Sequence, residues 1–535
     1  MKPGPSPWEP ILAAANVDRG DQATGARVLC ATNVGGHPVA RVIDSLVAMA
    51  LWLRGAEPEL LLCDGALPAC EACAYVLFRD PETFVRSGPQ SRLCHACYAT
   101  GSDYYRPLPL PTHCFSDVIE PGEGESCMRR AEGFSVDECF TFEVDGLRLG
   151  EQARASTLRF FGKADLSSEP PRLVDRAARR YAAGALLAAL VAERMLAQLE
   201  PDCVVTHHGV YVPQGVFGEV ARREGVRVVN WGPSYRNTTA IFSHGDTYHH
   251  TFISEPAELW DRPLRDDEEQ VLLDYLDARR HGRGDWTWVT PEAGLRRELQ
   301  GRGQLVEELA LDPSRPVFGL LTNVLWDAQL YYANQAFPDM LQWLWTTLDH
   351  FIAHADLQLI VRIHPHEVKH GNRQPVEGEI RKRYGRLPES IKIIPHDHPF
   401  NTYALMDLCQ AVLIYGTKTG VELAPFGIPV VVAGDAWVRG KGFTYDAATR
   451  EEYEKLLERL PEIPRLDEHA VARARRYAYH YFFRRMIPFA SLDPEGSVPP
   501  KLRVRTLDDL RPGRDRGLDV VCEGILNGSP FVYDP

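Results

Sequence analysis

The chain contains a strand-end cluster, Arg362-Ile363-His364-Pro365-His366-Glu367, that closes the apolar run Leu357–Val361. A guanidinium and an imidazole at such an end can donate to phosphate oxygens, and Pro365 restricts the backbone of His364. A second cluster is Tyr415-Gly416-Thr417-Lys418-Thr419-Gly420-Val421-Glu422. Its glycines and small hydroxyl residues let backbone N–H groups approach a phosphate where a helix begins. Lys418 adds positive charge. Glu422 either favours the first-turn dipole or binds a ribose hydroxyl. The GxxxxGK[ST] spacing of a Walker loop is absent. A third cluster, Ala433-Gly434-Asp435 followed by Arg439-Gly440-Lys441-Gly442, reads as a mobile anion clamp or as a solvated loop.

Three further places carry acid–base residues. His37 follows Gly35-Gly36, His208 lies in Thr206-His207-His208-Gly209, and Asp246 lies in His244-Gly245-Asp246. An imidazole that titrates near neutrality can deprotonate a hydroxyl, and Asp246 suits a carboxylate base. His37 equally suits a helix start, where it makes a local hydrogen bond. The spacing does not choose among the three. Asn323 and Asp327 follow the run Pro316–Leu321 and are candidates to line the same space.

The cysteines form a separate constellation. Cys70-x2-Cys73-x20-Cys94-x2-Cys97 has the arrangement of a four-thiolate zinc site. A closed site of that kind is structural. An iron–sulfur cluster and four reduced thiols beside a core are the alternatives, with Cys63 and His95 as substitute ligands.

The elements that must position these residues alternate as strand and helix. Residues 27–33, 58–64, 202–206 and 226–231 read as strands in the first half, with helices over 38–54, 171–199 and 214–224. In the second half, strands over 316–321, 357–364, 390–394, 411–415 and 428–433 alternate with helices more cleanly. Such βαβ units imply parallel sheets covered by helices, and ligands in them lie beyond the carboxyl ends of the strands. The expected organisation is an arm over 1–26, a Rossmann-like domain over 27–255 with a Cys-rich insertion at 65–145, a helical connector over 256–315, a second Rossmann-like domain over 316–490, and a tail over 491–535. The fold class is α/β, two Rossmann-like domains facing a cleft.

The formal net charge of −14 argues against a general nucleic-acid binder, which needs a basic footprint. The apolar run Val42–Leu53 is too short to span a membrane and contains Asp44, and Ala182–Leu199 is broken by Glu193 and Arg194. Both read as buried helices. No leader stands out at the start, so the expected location is cytoplasmic, compatible with peripheral attachment to an inner membrane.

The stretch from VRIHPHE to AVLIYGTKTGVELAPFGIPVVVAGDAWVRGKGFTYD resembles the C-terminal domain of GT-B glycosyltransferases of the capsule polysaccharide biosynthesis type, Kdo transferases among them. The His-Pro pair also resembles that of bacterial GT-B sialyltransferases, which use CMP-sugars. The resemblance implies donor-phosphate contacts from His364-Pro365 and from Thr417 with Thr419. It also aligns Glu422 with the family Glu that precedes Gly427-Ile428-Pro429-Val430. Thr-Lys-Thr departs from the usual Ser-Ser or Ser-Thr pair, which leaves the role of Lys418 open. The resemblance further implies a nucleotide-sugar donor, a glycan or lipid-linked acceptor on the N-terminal domain, and no catalytic metal, in keeping with the absence of an Asp-x-Asp pattern. Three rival readings use the same residues: a GT-B-fold sugar-nucleotide epimerase, a polyol-phosphate transferase, and a zinc-stabilised, non-catalytic assembly protein.

Overall fold

The computed structural model describes residues 6–13, 24–89, 91–283, 285, 298–367, 371–495 and 499–535. Most of the expected arm lies outside them, although Trp8–Ala13 is helical with Trp8 buried. The chain divides into two compact units. Unit 1 comprises 1–248, 327–330 and 485–535; unit 2 comprises 249–326 and 331–484.

The strands of unit 1 are β1 (Arg27–Asn33), β2 (Glu57–Leu62), β3 (Thr112–Cys114), the hairpin β4 (Glu143–Val144) and β5 (Leu147–Arg148), β6 (Cys203–His207), β7 (Arg227–Pro233) and β8 (Thr239–His244). Unit 2 carries β9 (Val317–Leu321), β10 (Gln358–Arg362), β11 (Ile391–Ile394), β12 (Val412–Ile414), β13 (Val430–Val432) and β14 (Tyr445–Asp446); β15 (Ile487–Pro488) returns to unit 1. The α/β expectation is borne out in both units, and each of the nine strands read from the sequence is present. They are recoverable because strands covered on both faces are near-continuous apolar runs.

The unit 1 sheet has the order β15-β8-β7-β6-β1-β2-β3. β1 pairs in parallel with both β2 and β6, so strand order reverses between β1 and β6. In unit 2 the order is β11-β10-β9-β12-β13-β14, parallel throughout, and the reversal falls between β9 and β12. A reversal parts the loops on either side of it and opens a crevice at the strands' carboxyl ends.

Helix Pro171–Leu199 is the centre of unit 1. Its Ala and Leu positions, from Ala177 to Leu196, join the core with Phe84, Phe160 and Phe217. Among the described residues it is the one helix long and apolar enough to cross a membrane, and 67% of that apolar window is buried inside the protein.

Three stretches outside the expected strands join these units. Residues 65–145 are not set apart from the sheet, because β3 pairs with β2 as a parallel edge strand. The stretch 256–315 belongs to unit 2, where helix Asp266–Arg280 buries Leu272 and Leu276. The tail is structured: Asp515 caps helix Arg516–Asn527, which buries Leu518, Val521, Cys522 and Ile525. Those four have helical spacing and could have been read from the sequence.

Candidate functional site

In unit 2 the loops after β9, β10 and β12 meet at the reversal. The His364 backbone N–H donates to Thr322 Oγ1 at 2.9 Å. The Gly416 N–H donates to Asn323 Oδ1 at 3.3 Å. The hydroxyls of Thr417 and Thr419 lie 3.1 Å apart. His364 Nδ1 accepts the His366 N–H at 3.1 Å, which leaves the ring proton on Nε2 and makes that nitrogen a donor. Gly434 permits the close approach of the β12 and β13 ends: a Cβ there would lie 2.6 Å from the Tyr415 carbonyl oxygen.

The charged residues expected to bind the donor are committed elsewhere. Arg362 is 2% exposed and donates to Thr402 Oγ1 at 3.2 Å and to the Pro395 carbonyl. Glu367, also 2% exposed, accepts the Val376 N–H at 2.8 Å and so holds the start of helix Val376–Tyr384; burial pushes its carboxyl up to about 7. Arg439 donates to the Asn334 and Ala447 carbonyls and pairs with Asp435. Lys441 donates to the carbonyls of Ile253 and Glu255 at 3.0 and 3.1 Å, and burial lowers it to about 8. The anion clamp is therefore corrected to a pair of buried struts. A charge without a ligand can be held inside a protein only when such partners surround it.

Glu422 is the largest departure from expectation. It meets Lys418, the Tyr403 hydroxyl and, at 3.1 Å, the Arg279 guanidinium. Arg279 also pairs with Asp285. Burial raises the Glu422 carboxyl, yet Arg279 and Lys418 outweigh it and hold the group at about 2. Burial also lowers Lys418. The expected ribose ligand and its neighbouring cation are thus a buried ion-pair hub beneath the Thr417–Thr419 loop. Nothing in the spacing pointed to Arg279.

In unit 1 the carboxyl ends of β1 and β6 flank the other reversal. Both finish in left-handed backbone: Asn33 has φ 59° and His208 φ 65°, followed by Gly209 at 69°. Such conformations cost about 1–2 kcal/mol for residues other than glycine and cluster at functional sites. A Cβ at Gly209 would collide with Asn230 Oδ1.

The two strand ends gather histidines. The rings of His37 and His207 lie 4.4 Å apart, and those of His207 and His208 5.6 Å apart. His207 is 2% exposed, and neither ring nitrogen has a hydrogen-bond partner. The Asn33 side-chain amide, Thr206 Oγ1 and Asn230 Oδ1 are likewise buried without partners. His37 Nδ1 accepts the Ala40 N–H at 3.1 Å and caps helix Pro38–Leu53. That bond occupies the lone pair a base would use, and burial with Arg159 lowers the ring to about 4. His37 thus makes the local hydrogen bond of the helix-start alternative.

His208 is half-buried. Burial pushes it down to about 4 while Asp327 pulls upward. Asp327 is exposed and accepts the Tyr211 hydroxyl at 3.0 Å. The Arg159 guanidinium sits 4.8 Å from the centre of the Tyr211 ring. Asp246 lies beyond β8, next to Thr247, whose hydroxyl donates to the His208 carbonyl at 3.0 Å. β8 runs antiparallel, with His244 opposite Val229. Beyond that strand end Asp246 pairs with Arg222 at 3.8 Å and accepts the Thr247 N–H. The sequence reading missed Arg159 and Tyr211; Arg159 lies in the last turn of helix Gly150–Phe161 with no motif around it.

Residues 300–477 match the family model described as capsule polysaccharide biosynthesis protein. The matched stretch includes the whole unit 2 sheet with His364, Thr417 and Thr419. No curated protein matches the chain in sequence. Similar solved structures include the β-Kdo 2,4-transferase of KpsC from Thermosulfurimonas dismutans, at 14% identity over 57% of this chain and 86% of that one, with a TM-score of 0.34. They also include UDP-GlcNAc 2-epimerase from Neisseria meningitidis, at 10% identity over 85% and 95% with a TM-score of 0.25. The glycosyltransferase SnogD from Streptomyces nogalater matches at 14% identity over 85% and 94%, with a TM-score of 0.24.

Proposed function

From the capsule-polysaccharide match over residues 300–477, we propose that the protein is a glycosyltransferase that moves a sugar from a nucleotide-sugar to a hydroxyl of a glycan or lipid-linked acceptor. The observation that carries the reading is the convergence of His364, Thr322, Asn323, Gly416, Thr417 and Thr419 at the unit 2 reversal, inside the matched stretch. The His364 Nε2–H and the two threonine hydroxyls are donors for the donor phosphate. The Glu422 hub supports their loop from below.

Acceptor activation is assigned to unit 1. Neutral His208 takes the proton of the acceptor hydroxyl as its oxygen bonds to the anomeric carbon. The bond from that carbon to the nucleotide breaks at the same centre, and the phosphate leaves as an anion. Asp327 offsets the charge that develops on His208. Arg159 adds a fixed cation beside them, which suits an acidic acceptor.

A thermal-shift series with CMP, CDP, UDP, GDP and dTDP tests the nucleotide site. A ligand that binds only the folded state raises the melting temperature by mass action. One nucleotide, with CMP the expected responder, should shift the wild type and not the double variant Thr417→Ala/Thr419→Ala. Silence of all five at millimolar concentration overturns the reading. Release of an altered sugar-nucleotide without transfer to any acceptor would establish the epimerase reading instead.

A further inference from the structure

The C-terminal ends of two unit 2 helices bring metal-ligand side chains together, away from the phosphate-facing loops. Helix Met340–Ala353 has His350 in its last turn and His354 as its C-cap. The two lie four residues apart on one face, and their rings stack with centroids 4.2 Å apart and planes at 28°. Glu458 is the last residue of helix Arg450–Glu458. Its carboxylate lies 3.6 Å from His350 Nδ1 and 4.0 Å from His354 Nε2. Among the described residues, one ligand atom from each of these three lies within 4.8 Å of the others. No three of the sulfurs of Cys70, Cys73, Cys94 and Cys97 meet that separation.

We propose that His350, His354 and Glu458 bind one divalent transition-metal ion of the zinc class, which clasps the two helix ends together. The site is independent of the transferase reading. The His350 carbonyl accepts the His354 Nδ1–H at 2.8 Å, so the neutral His354 ring keeps its lone pair on Nε2. That nitrogen and the Glu458 carboxylate are both acceptors, and a cation between them is bound by both. His350 is 8% exposed, and its Nε2 is buried without a hydrogen-bond partner. Its Nδ1, at 3.6 Å from the carboxylate, lies beyond the roughly 3.2 Å reach of an N–H···O bond. Zinc bonds nitrogen and oxygen at about 2.0–2.2 Å, so two ligands of one tetrahedral ion stand about 3.4 Å apart. Small rotations of Glu458 and His354, whose side chains reach solvent, close the remaining difference. Three protein ligands leave the rest of the shell to water.

The scaffold and the local field both favour a cation there. The buried hydroxyls of Thr347 and Tyr453 lie 2.7 Å apart and fix the two helices to each other about one turn before the ligands. Each helix C-terminus carries roughly half a negative charge, and the Glu458 carboxylate adds a full one. The adjacent Arg459 pairs with Glu462 at 3.7 Å. Helix Met340–Ala353 runs back from β9 to its parallel neighbour β10. Its C-terminus therefore lies at the amino ends of the strands, on the side of the sheet away from His364 and Thr417. An ion held there is structural and takes no part in sugar transfer.

The test titrates the full-length chain, stripped with a chelator, with zinc chloride by calorimetry. One ion should bind per chain at micromolar zinc and raise the melting temperature by mass action. His354→Ala and Glu458→Gln should each weaken binding by at least the roughly 10- to 100-fold that loss of an outer-shell partner costs. Both should leave any nucleotide thermal shift unchanged. If a variant does not fold, hydrogen exchange of the wild type decides: zinc should slow exchange at residues 350–356 and 455–460 and leave unit 1 unaltered. A wild type that answers to zinc and to no nucleotide keeps this site and sinks the transferase reading. Binding only at millimolar zinc overturns the proposal. So does zinc affinity unchanged in both variants, or zinc lost in Cys70→Ser and kept in His354→Ala.

Discussion

Both sheets reverse strand order at one point, and both reversals carry polar loops, but the two are satisfied in opposite ways. At the β9/β12 reversal every buried charge has found protein partners. Glu422, Arg279, Lys418 and Asp285 close on one another, and Arg362, Glu367, Arg439 and Lys441 are held by carbonyls, hydroxyls or backbone N–H groups. At the β1/β6 reversal Asn33, Thr206, His207 and Asn230 are buried with polar atoms that have no partner. Unfilled buried polar groups are costly and call for an explanation such as ordered water or a ligand. Unit 2 is thus internally matched at its reversal, whereas unit 1 keeps unmatched polar groups beneath its strand ends.

The largest expected break in this contrast is Glu422→Gln. It leaves Arg279 and Lys418 buried without their anion, and removing one partner of such a pair costs about 3–5 kcal/mol. Chemical denaturation should show that loss, while an Asn33→Ala change in unit 1 should cost much less; equal losses would erase the distinction between the two edges.

Next in size is His208→Ala. Loss of a general base lowers the rate by about 100- to 10,000-fold, and the nucleotide thermal shift should be unchanged. His37→Asn, by contrast, keeps a good helix cap and should change stability by no more than about 0.5 kcal/mol. A large rate loss in that variant would make His37 the base instead of His208.

A smaller effect is expected for Thr417→Ala and Thr419→Ala singly. Each deletes one hydrogen bond worth about 1 kcal/mol, roughly fivefold in nucleotide affinity by calorimetry.

The pH response separates the edges last. Asp44 lies under the unit 1 sheet, accepting from Thr32 and Trp231, and burial raises it to about 7. Its folded value exceeds its unfolded one, so its contribution is full below about 4 and is lost as pH rises through 7. Asp44→Asn should flatten stability across that window. His208 and His37 have the opposite sign. Their contribution is full above about 6.5 and is lost as pH falls through 4. Glu422 is lost only in stronger acid, as pH falls through about 2. Denaturation midpoints of the variants against pH, rather than the wild type alone, resolve these overlapping windows, because Glu367 adds a neutral-range limb from unit 2.

The alternation of strand and helix was written in the sequence, since apolar runs and turn residues are local signals. The candidate loops followed, because function in parallel sheets sits at carboxyl strand ends. His364, Thr417, Thr419 and His208 were legible for that reason. Strands β3 and β8 were not read: β3, at the sheet edge, has only three residues, and β8 belongs to no βαβ repeat.

What the amino-acid order determined, then, is the set of strands, the loops at their ends and the two cysteine pairs. The tertiary structure decided which polar residues in those loops face outward and which are struts. A charge is spent or available according to partners far away in the chain. Arg279 lies in a stretch read as a connector and neutralises Glu422; Ile253 and Glu255 anchor Lys441. No local pattern encodes such pairings, because they arise only when packing removes water and each buried charge must be matched.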